Sequence, residues 1–184
     1  MPKTLQIKVE RMTSDTFAPF GQLIDPGDAP HNPPRSFPVD FQGGKTRISA
    51  AFLPYKGLTF SILEQHFNVT QSFLPLSGAP AIVGLAPPTD PHNPHAIPST
   101  EDIRIFLIDG SVGYLLKKNT WHSDRLPFFA PGSRMAIITD EETSEDLRLH
   151  GAASDPPQKW GGWKLNRIVD YKSKFGVSFQ AILS

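Results

Sequence analysis

The sequence predicts a mainly β protein, folded as a sandwich or barrel in a single domain. Two observations lead to this prediction. Segments in which apolar and polar residues alternate recur about every 8–12 residues, with no long helical pattern between them. The 184 residues also include 19 prolines and 14 glycines, which disfavour long helices and favour short strands joined by tight turns. A chain of this length can bury one substantial core.

The elements can be placed in order along the chain. Thr13 or Ser14 can cap a short helix, and Gly21 ends it before the strand-like segment 22–24. From Lys45 onward the period-two pattern dominates. The strands that follow are predicted at 60–67, 71–76, 81–86, 103–108, 112–118 and 134–140, with proline-rich loops at 26–38 and 87–98.

Composition excludes several classes of protein. The net charge is zero and no basic stripe is visible, so we expect no nucleic acid partner. No apolar run approaches ~18 residues, so we expect no membrane span. The N-terminus does not read as a secretory signal, and the absence of cysteine fits a reducing cytoplasm. Any metal must therefore be held by histidine, carboxylate or amide side chains.

An unusual polar group lies on the first predicted hairpin. Glu64 and His66 share one strand face, ~6.6 Å apart along the strand, and the returning strand can bring Gln71 beside them. The apolar residues Phe60 and Ile62 share their parity, which favours the barrel interior. Buried Glu and His are costly unless they are hydrogen-bonded or bound to something. The alternative is a surface-facing strand whose apolar positions are incidental.

A second polar segment strengthens the first. His122 follows a predicted strand, and Asn119 lies in a turn where it can replace glycine. If the fold brings His122 back to Glu64 and His66, two imidazoles, one carboxylate and one amide would converge. That set suits a first-row divalent ion.

The spacing of these residues resembles the two motifs of the cupin barrel. The first motif reads H-x-H, four residues, E, six residues, G. Here Glu64, His66, Gln71 and Gly78 keep every interval, with Glu64 in place of the first His and Gln71 in place of the Glu. The second motif ends with a glycine and a histidine three residues on, which correspond to Asn119 and His122.

These substitutions are similar to those of the ureidoglycolate lyase family, formerly called ureidoglycolate hydrolases. The shared motifs are E-x-H and T-Q-x-F-x-P on the hairpin, R-x-F on a later strand, W-H after the turn, and an N-terminal F-x-x-F-G. They are matched here by Glu64 and His66, Thr70 to Pro75, Arg104 and Phe106, Trp121 and His122, and Phe17 to Gly21. Ser123 departs from the family, in which a second histidine often follows the first.

The resemblance implies a cupin-like double-stranded β-helix, or jelly-roll barrel, with a short N-terminal helix and a C-terminal extension. We expect one domain over 1–184, in which 13–140 forms the motif-matched barrel and 149–184 is an extension without an assigned role. The alternatives for that extension are an added strand or helix over the barrel and a subunit contact. Cupins commonly pair through barrel edges, so we also expect a homodimer.

The resemblance also implies an activity, the cleavage of ureidoglycolate into glyoxylate and urea during purine nitrogen recovery. The implied catalytic residues are Glu64, His66 and His122. Together with Gln71 these residues are the implied ligands of a divalent metal such as nickel, zinc or manganese. The substrate is a small anion, and the implied residues around it are Arg104, Gln71, Phe73 and Trp121.

Several readings of these residues stay open at this stage. Arg104 suits a carboxylate because its planar guanidinium can contact two oxygens, but it can equally pair with Asp102 or Glu101 at the surface. A different cupin activity, such as an isomerase or a dioxygenase, is a second hypothesis. A non-catalytic cupin that binds a small molecule is a third, because this barrel hosts many functions.

Overall fold

The structure is a computed structural model that describes residues 3–28, 33–93, 95–149, 161–162 and 164–183. Its strands are β1 (Lys3–Arg11), β2 (Gly21–Ile24), β3 (Thr46–Pro54), β4 (Thr59–Phe60), β5 (Ile62–His66), β6 (Gln71–Pro75), β7 (Ala81–Ala86), β8 (Arg104–Ile108), β9 (Gly113–Leu116), β10 (Trp121–Pro127), β11 (Gly132–Asp140), β12 (Gly161–Gly162), β13 (Asn166–Asp170) and β14 (Val177–Ile182). Its helices are α1 (Ser14–Phe17), α2 (Glu141–Leu149) and α3 (Tyr171–Phe175), and a 3-10 turn over Thr100–Asp102 precedes β8.

The described strands form two sheets. The larger has nine strands in the order β12-β13-β5-β10-β7-β8-β1-β14-β4, and the smaller has five in the order β2-β9-β6-β11-β3. Most neighbours are antiparallel, whereas β1 runs parallel to both β8 and β14. The predicted mainly β, cupin-like architecture is confirmed.

A core of aromatic and aliphatic side chains fills the space between the two sheets. The larger sheet contributes alternate residues of β7 and β8 to this inner core, and the smaller sheet contributes residues of β6, β9 and β11. Its buried members are Phe17, Phe20, Phe73, Ala81, Val83, Leu85, Phe106, Ile108, Tyr114, Leu116 and Met135. Because side chains alternate along a strand, the intervening residues must be buried on the other face of the larger sheet.

That opposite face carries a second core, which the C-terminal residues help to cover. Ile82, Trp121 and Val169 belong to it, and Tyr171 and Phe179 pack against them. Phe60 also lies here, 5.4 Å from Phe179 between ring centroids. The prediction that Phe60 shares a face with Glu64 is therefore wrong. The strand is interrupted at residue 61, so the parity that holds within β5 does not extend back to β4.

Most predicted elements are present. Thr13 caps α1, accepting a hydrogen bond from the Thr16 amide at 3.2 Å, and β7 coincides with its predicted range. Neither β1 nor β10, which carries His122, was predicted, and no range was predicted for β3 or for the strands of the extension. The described part of the extension also joins the larger sheet, where β13 pairs with β5 and β14 pairs with β1. Residues 150–160 of the extension lie outside the described residues.

The helices of the fold are short. Within the described residues, none is long and apolar enough to cross a membrane.

Candidate metal centre

Two adjacent strands bring the predicted histidines together. Antiparallel β5 and β10 place His122 directly opposite Glu64, so both side chains emerge on the same face. That face is the inner one, because the next strand places Leu85 of the inner core opposite His122. The turn before β10 contains Asn119, which adopts a left-handed φ of 65°. The backbone N–H of Asn119 donates to the carbonyl of His66 at 2.8 Å.

Glu64, His66 and His122 form a cluster whose potential ligand atoms all lie within 4.8 Å of one another. The two imidazole Nε2 atoms are 3.1 Å apart. A Glu64 carboxylate oxygen is 3.9 Å from Nε2 of His66 and 3.3 Å from Nδ1 of His122. The histidines are 3% and 0% exposed, whereas the Glu64 side chain is 23% exposed. Glu64 is thus the member of the cluster closest to solvent.

A hydrogen bond fixes which nitrogen of the His66 imidazole carries the proton. The Asn166 amide nitrogen donates to Thr143 O and Asp146 Oδ2, at 3.1 and 2.8 Å, so its oxygen must face His66. Nδ1 of His66, 2.6 Å from that oxygen, therefore holds the proton. Nδ1 of His122 lies 3.3 Å from the carbonyl of Ser123 and 3.4 Å from a terminal nitrogen of Arg125, so it donates to the first as N–H or accepts from the second as a lone pair.

The Nε2 lone pair of His66 consequently points at Nε2 of His122, 3.1 Å away. Two nitrogens bound at ~2.1 Å on adjacent sites of one metal ion would lie ~3.0 Å apart. The observed separation therefore fits a metal-binding pair of imidazoles.

The electrostatics of the cluster agree with this donor set. Burial lowers the pKa of His66 to about 4 and lowers the pKa of His122 well below its ordinary value, with further lowering by Arg125. Both imidazoles are therefore neutral at pH 7, the form that binds metal. Burial raises the pKa of Glu64 to about 7, and the nearby charge of Asp124 adds to this effect.

Gln71 and Phe73 lie where the sequence predicts, on the strand β6 that faces the cluster. The Gln71 side-chain oxygen is buried and has no hydrogen-bond partner among the described residues, which is costly unless something binds it. Its position near His66 raises the pKa of that imidazole slightly against the effect of burial. The Phe73 ring meets the His122 ring edge-on, with centroids 6.0 Å apart, and forms a wall of the site.

Arg104 does not join the cluster. It lies two strands away from His122, and its Nε donates to a Glu10 carboxylate oxygen at 2.7 Å. A second nitrogen pairs with the other Glu10 oxygen, and a third donates to the carbonyl of Thr16 at 3.2 Å. The partner is neither Asp102 nor Glu101, as the surface alternative supposed, but a residue of β1. With its fork occupied by Glu10, Arg104 is not placed to hold a substrate carboxylate at the metal centre.

Trp121 is also absent from the cluster, although it precedes His122 in the chain. Its register partner is Gln65, on the outer face of β5. Its indole nitrogen donates to the hydroxyl of Thr89 at 2.9 Å, and its ring belongs to the second core. Trp121 therefore faces away from the site, which corrects its predicted role in substrate binding.

Two residues at the site were not predicted. Arg125 reaches the inner face because β10 contains a bulge between His122 and Arg125, and nothing in the residue pattern marks that bulge. Asn166 reaches His66 because β13 pairs with β5. The β-branched pair Ile168 and Val169 indicates a strand in the extension, but its pairing partner is set by the tertiary fold.

A two-sheet barrel that gathers two imidazoles, a carboxylate and an unpartnered amide on its inner face has the architecture of the cupin class, and this donor set could hold a metal ion. The family model described as ureidoglycolate lyase matches residues 33–156. The chain therefore belongs to the ureidoglycolate lyase family.

Several curated relatives agree with this assignment. The ureidoglycolate lyase of Rhodobacter capsulatus is 31% identical over 72% of this chain and 85% of its own length. That of Azotobacter vinelandii is 28% identical over 74% of this chain and 81% of its own length. Among solved structures, RmlC from Streptococcus suis aligns with 76% of this chain and 61% of its own, with 8% identity and a TM-score of 0.37.

Proposed function

We propose that this protein is a ureidoglycolate lyase, a carbon–nitrogen lyase that cleaves ureidoglycolate into glyoxylate and urea. The observation that carries the proposal is the convergence of Glu64, His66 and His122 on the inner face of the barrel in a member of that family. The relatives named ureidoglycolate lyase match over most of their own length, which supports the same reaction here.

We propose that Glu64, His66, Gln71 and His122 hold a divalent ion, with nickel, zinc and manganese as candidates. Two neutral imidazoles, a carboxylate and an amide oxygen suit such ions. When bound, the ion would supply Lewis acidity, lowering the pKa of a hydroxyl that coordinates it. Because only Glu64 among these side chains carries negative charge, the loaded site would remain positive and would favour an anionic substrate.

The reaction transfers one proton from the carbinol oxygen of ureidoglycolate to the departing urea nitrogen. The carbon–nitrogen bond breaks as the carbon–oxygen double bond of glyoxylate forms, so no proton is gained or lost overall. In the metal-free site the pKa of Glu64 is about 7, so its carboxyl group could accept and then return a proton near neutrality. As a metal ligand Glu64 would instead stay ionised. The histidines, with lowered pKa values, remain neutral and position the reacting groups.

The proposal predicts equimolar glyoxylate and urea from ureidoglycolate when the purified protein is supplied with Ni²⁺, Zn²⁺ or Mn²⁺. Glyoxylate can be followed by coupled reduction with NADH and urea by a colorimetric assay. The matched control is His92→Ala, which removes an exposed loop histidine and is expected to leave turnover unchanged. No turnover with any of the metals would contradict the lyase assignment, and release of ammonia in place of urea would identify a hydrolase.

A dioxygenase is the second candidate, because two histidines and one carboxylate are the usual ligands of a non-haem iron oxygenase. The test is to compare ureidoglycolate turnover in air and under argon. A lyase needs no oxygen, so equal rates support the main proposal. Turnover that stops under argon and consumes oxygen in air would favour the oxygenase.

The homodimer and the cytoplasmic location stay predictions. Light scattering coupled to size-exclusion chromatography tests the first, and a mass of one chain would contradict it.

A further inference from the structure

The bulge in β10 changes which side chain faces the metal centre. His122 pairs with Leu85, whereas Arg125 pairs with Val83. The three residue steps from His122 to Arg125 on β10 therefore correspond to two steps on β7, so β10 contains one extra residue. Both Leu85 and Val83 belong to the inner core, and Arg125 consequently points into the barrel. Without the bulge, strand alternation would direct Asp124 inward instead.

Arg125 is buried against aromatic rings beside the cluster of Glu64, His66 and His122. It is 6% exposed, and its guanidinium carbon lies 3.4 Å from the centre of the Phe73 ring. Its Nε donates to the hydroxyl of Tyr114 at 3.2 Å. Burial raises the pKa of Tyr114, so the phenol is neutral and supplies no counter-charge.

No carboxylate among the described residues lies within ion-pair distance of the Arg125 guanidinium; the acidic side chains that do form ion pairs use other partners. An arginine cannot shed its proton to relieve burial. A buried charge without a partner is costly, and proteins normally pair it. No carboxylate is therefore hydrogen-bonded to the Arg125 guanidinium, although its charge lowers the pKa of Glu64. Arg104 differs, because its guanidinium is occupied by Glu10.

The position of the guanidinium indicates which anion would fit. Its terminal nitrogen lies 3.4 Å from Nδ1 of His122, so a carboxylate bound there would lie next to the metal centre. A guanidinium binds a carboxylate through two parallel hydrogen bonds. The carbon attached to that carboxylate would then be held beside Glu64 and the imidazoles.

We propose that Arg125, and not Arg104, anchors the carboxylate of the substrate. The inference deepens the proposed lyase function, on which its catalytic meaning rests. The binding itself requires no turnover. It predicts that glyoxylate, the anionic product, binds through Arg125, whereas urea, the neutral product, does not.

The test measures glyoxylate affinity by calorimetry in wild-type protein, Arg125→Met, Arg125→Lys and Arg104→Met. We expect Arg125→Met to weaken glyoxylate binding about 10- to 100-fold, the range expected for hydrogen bonds to a charged group. Arg125→Lys should lose part of the affinity, because lysine keeps the charge but not the planar fork. Arg104→Met is the matched control and should bind as the wild type does.

Two results would overturn the inference: unchanged glyoxylate affinity in folded Arg125→Met, or a loss in Arg104→Met instead. If Arg125→Met does not fold, Arg125→Lys provides the test. Wild-type glyoxylate affinity in Arg125→Lys would contradict binding through two parallel hydrogen bonds. In the turnover assay, the variants should show a raised KM with a smaller change in kcat. If glyoxylate binds through Arg125 but ureidoglycolate is not turned over, the lyase proposal fails and the anion site stands.

Discussion

Replacing His122 by alanine is expected to remove metal binding and to lower ureidoglycolate turnover by more than ~100-fold. The loss of an outer hydrogen-bond partner of a metal ligand costs about 10- to 100-fold, and loss of the ligand itself should cost more. His122 supplies one of the two Nε2 atoms that lie 3.1 Å apart. Without it, the remaining imidazole no longer forms a metal-binding pair.

The measurement has two parts, the bound metal per chain and the rate of glyoxylate release. Wild-type protein should also gain thermal stability when Zn²⁺ or Ni²⁺ is added, because a ligand that binds only the folded state stabilises it. His122→Ala should lose that gain. His66→Gln provides a second test if the alanine variant does not fold, and His92→Ala is the exposed control. If both His122→Ala and His66→Gln bind as much metal as the wild type, the metal binds elsewhere in the protein.

Three of the four proposed ligands were accessible from sequence because short-range rules decide their positions. The place of His122 was implied by the cupin resemblance and depends on the long-range pairing of β10 with β5. Strand alternation places Glu64 and His66 on one face, and the hairpin returns Gln71 beside them. The left-handed turn at Asn119 was also predictable, since asparagine tolerates that conformation. Such patterns do not depend on which distant strand becomes a neighbour.

Arg125 was missed for a physical reason. A β-bulge reverses the alternation that sequence analysis relies on, and the bulged segment Ser123 and Asp124 has no feature that separates it from an ordinary strand. In the structure, the hydroxyl of Ser123 accepts the amide of Gly84 at 2.8 Å. That bond satisfies a backbone donor at the irregular register.

Arg104 shows the opposite limit. An arginine suits a carboxylate partner, and in the structure that partner is Glu10, 94 residues away in the chain. The pairing depends on β1 lying beside β8 in parallel. The local sequence pattern gives no information about that neighbour. Arg104 could be singled out in the sequence by its residue type, but its partner could not be predicted.

The extension was likewise unassigned, although its residue Asn166 completes the site. The Asn166 side chain is fully buried and connects His66 to Asp146 of α2 through two hydrogen bonds, 2.6 and 2.8 Å long. The carboxylate thus orients the amide, and the amide holds the imidazole with Nε2 directed at the cluster. Outer partners of this kind fix both the tautomer and the orientation of a metal-binding histidine.

Replacing Asn166 by alanine should therefore weaken Zn²⁺ binding by about 10- to 100-fold, although Asn166 would not touch the ion. Zinc affinity is measured by competition with a chromophoric chelator. The matched control is Ser61→Ala, which removes a 2.6 Å hydrogen bond to Asp170 at the far end of the same strand β13. Both variants lose a buried or half-buried bond of the extension, but only Asn166 is bonded to His66.

The comparison separates orientation from general stability. Asn166→Ala removes three hydrogen bonds and Ser61→Ala removes one, at about 0.5–1.5 kcal/mol of folding stability for each bond. The two zinc affinities are therefore compared alongside the measured free energy of unfolding of each variant. A selective loss in Asn166→Ala would establish that the extension acts by holding the His66 imidazole. Equal zinc affinity in both folded variants would mean that the inner strands orient His66 without the extension.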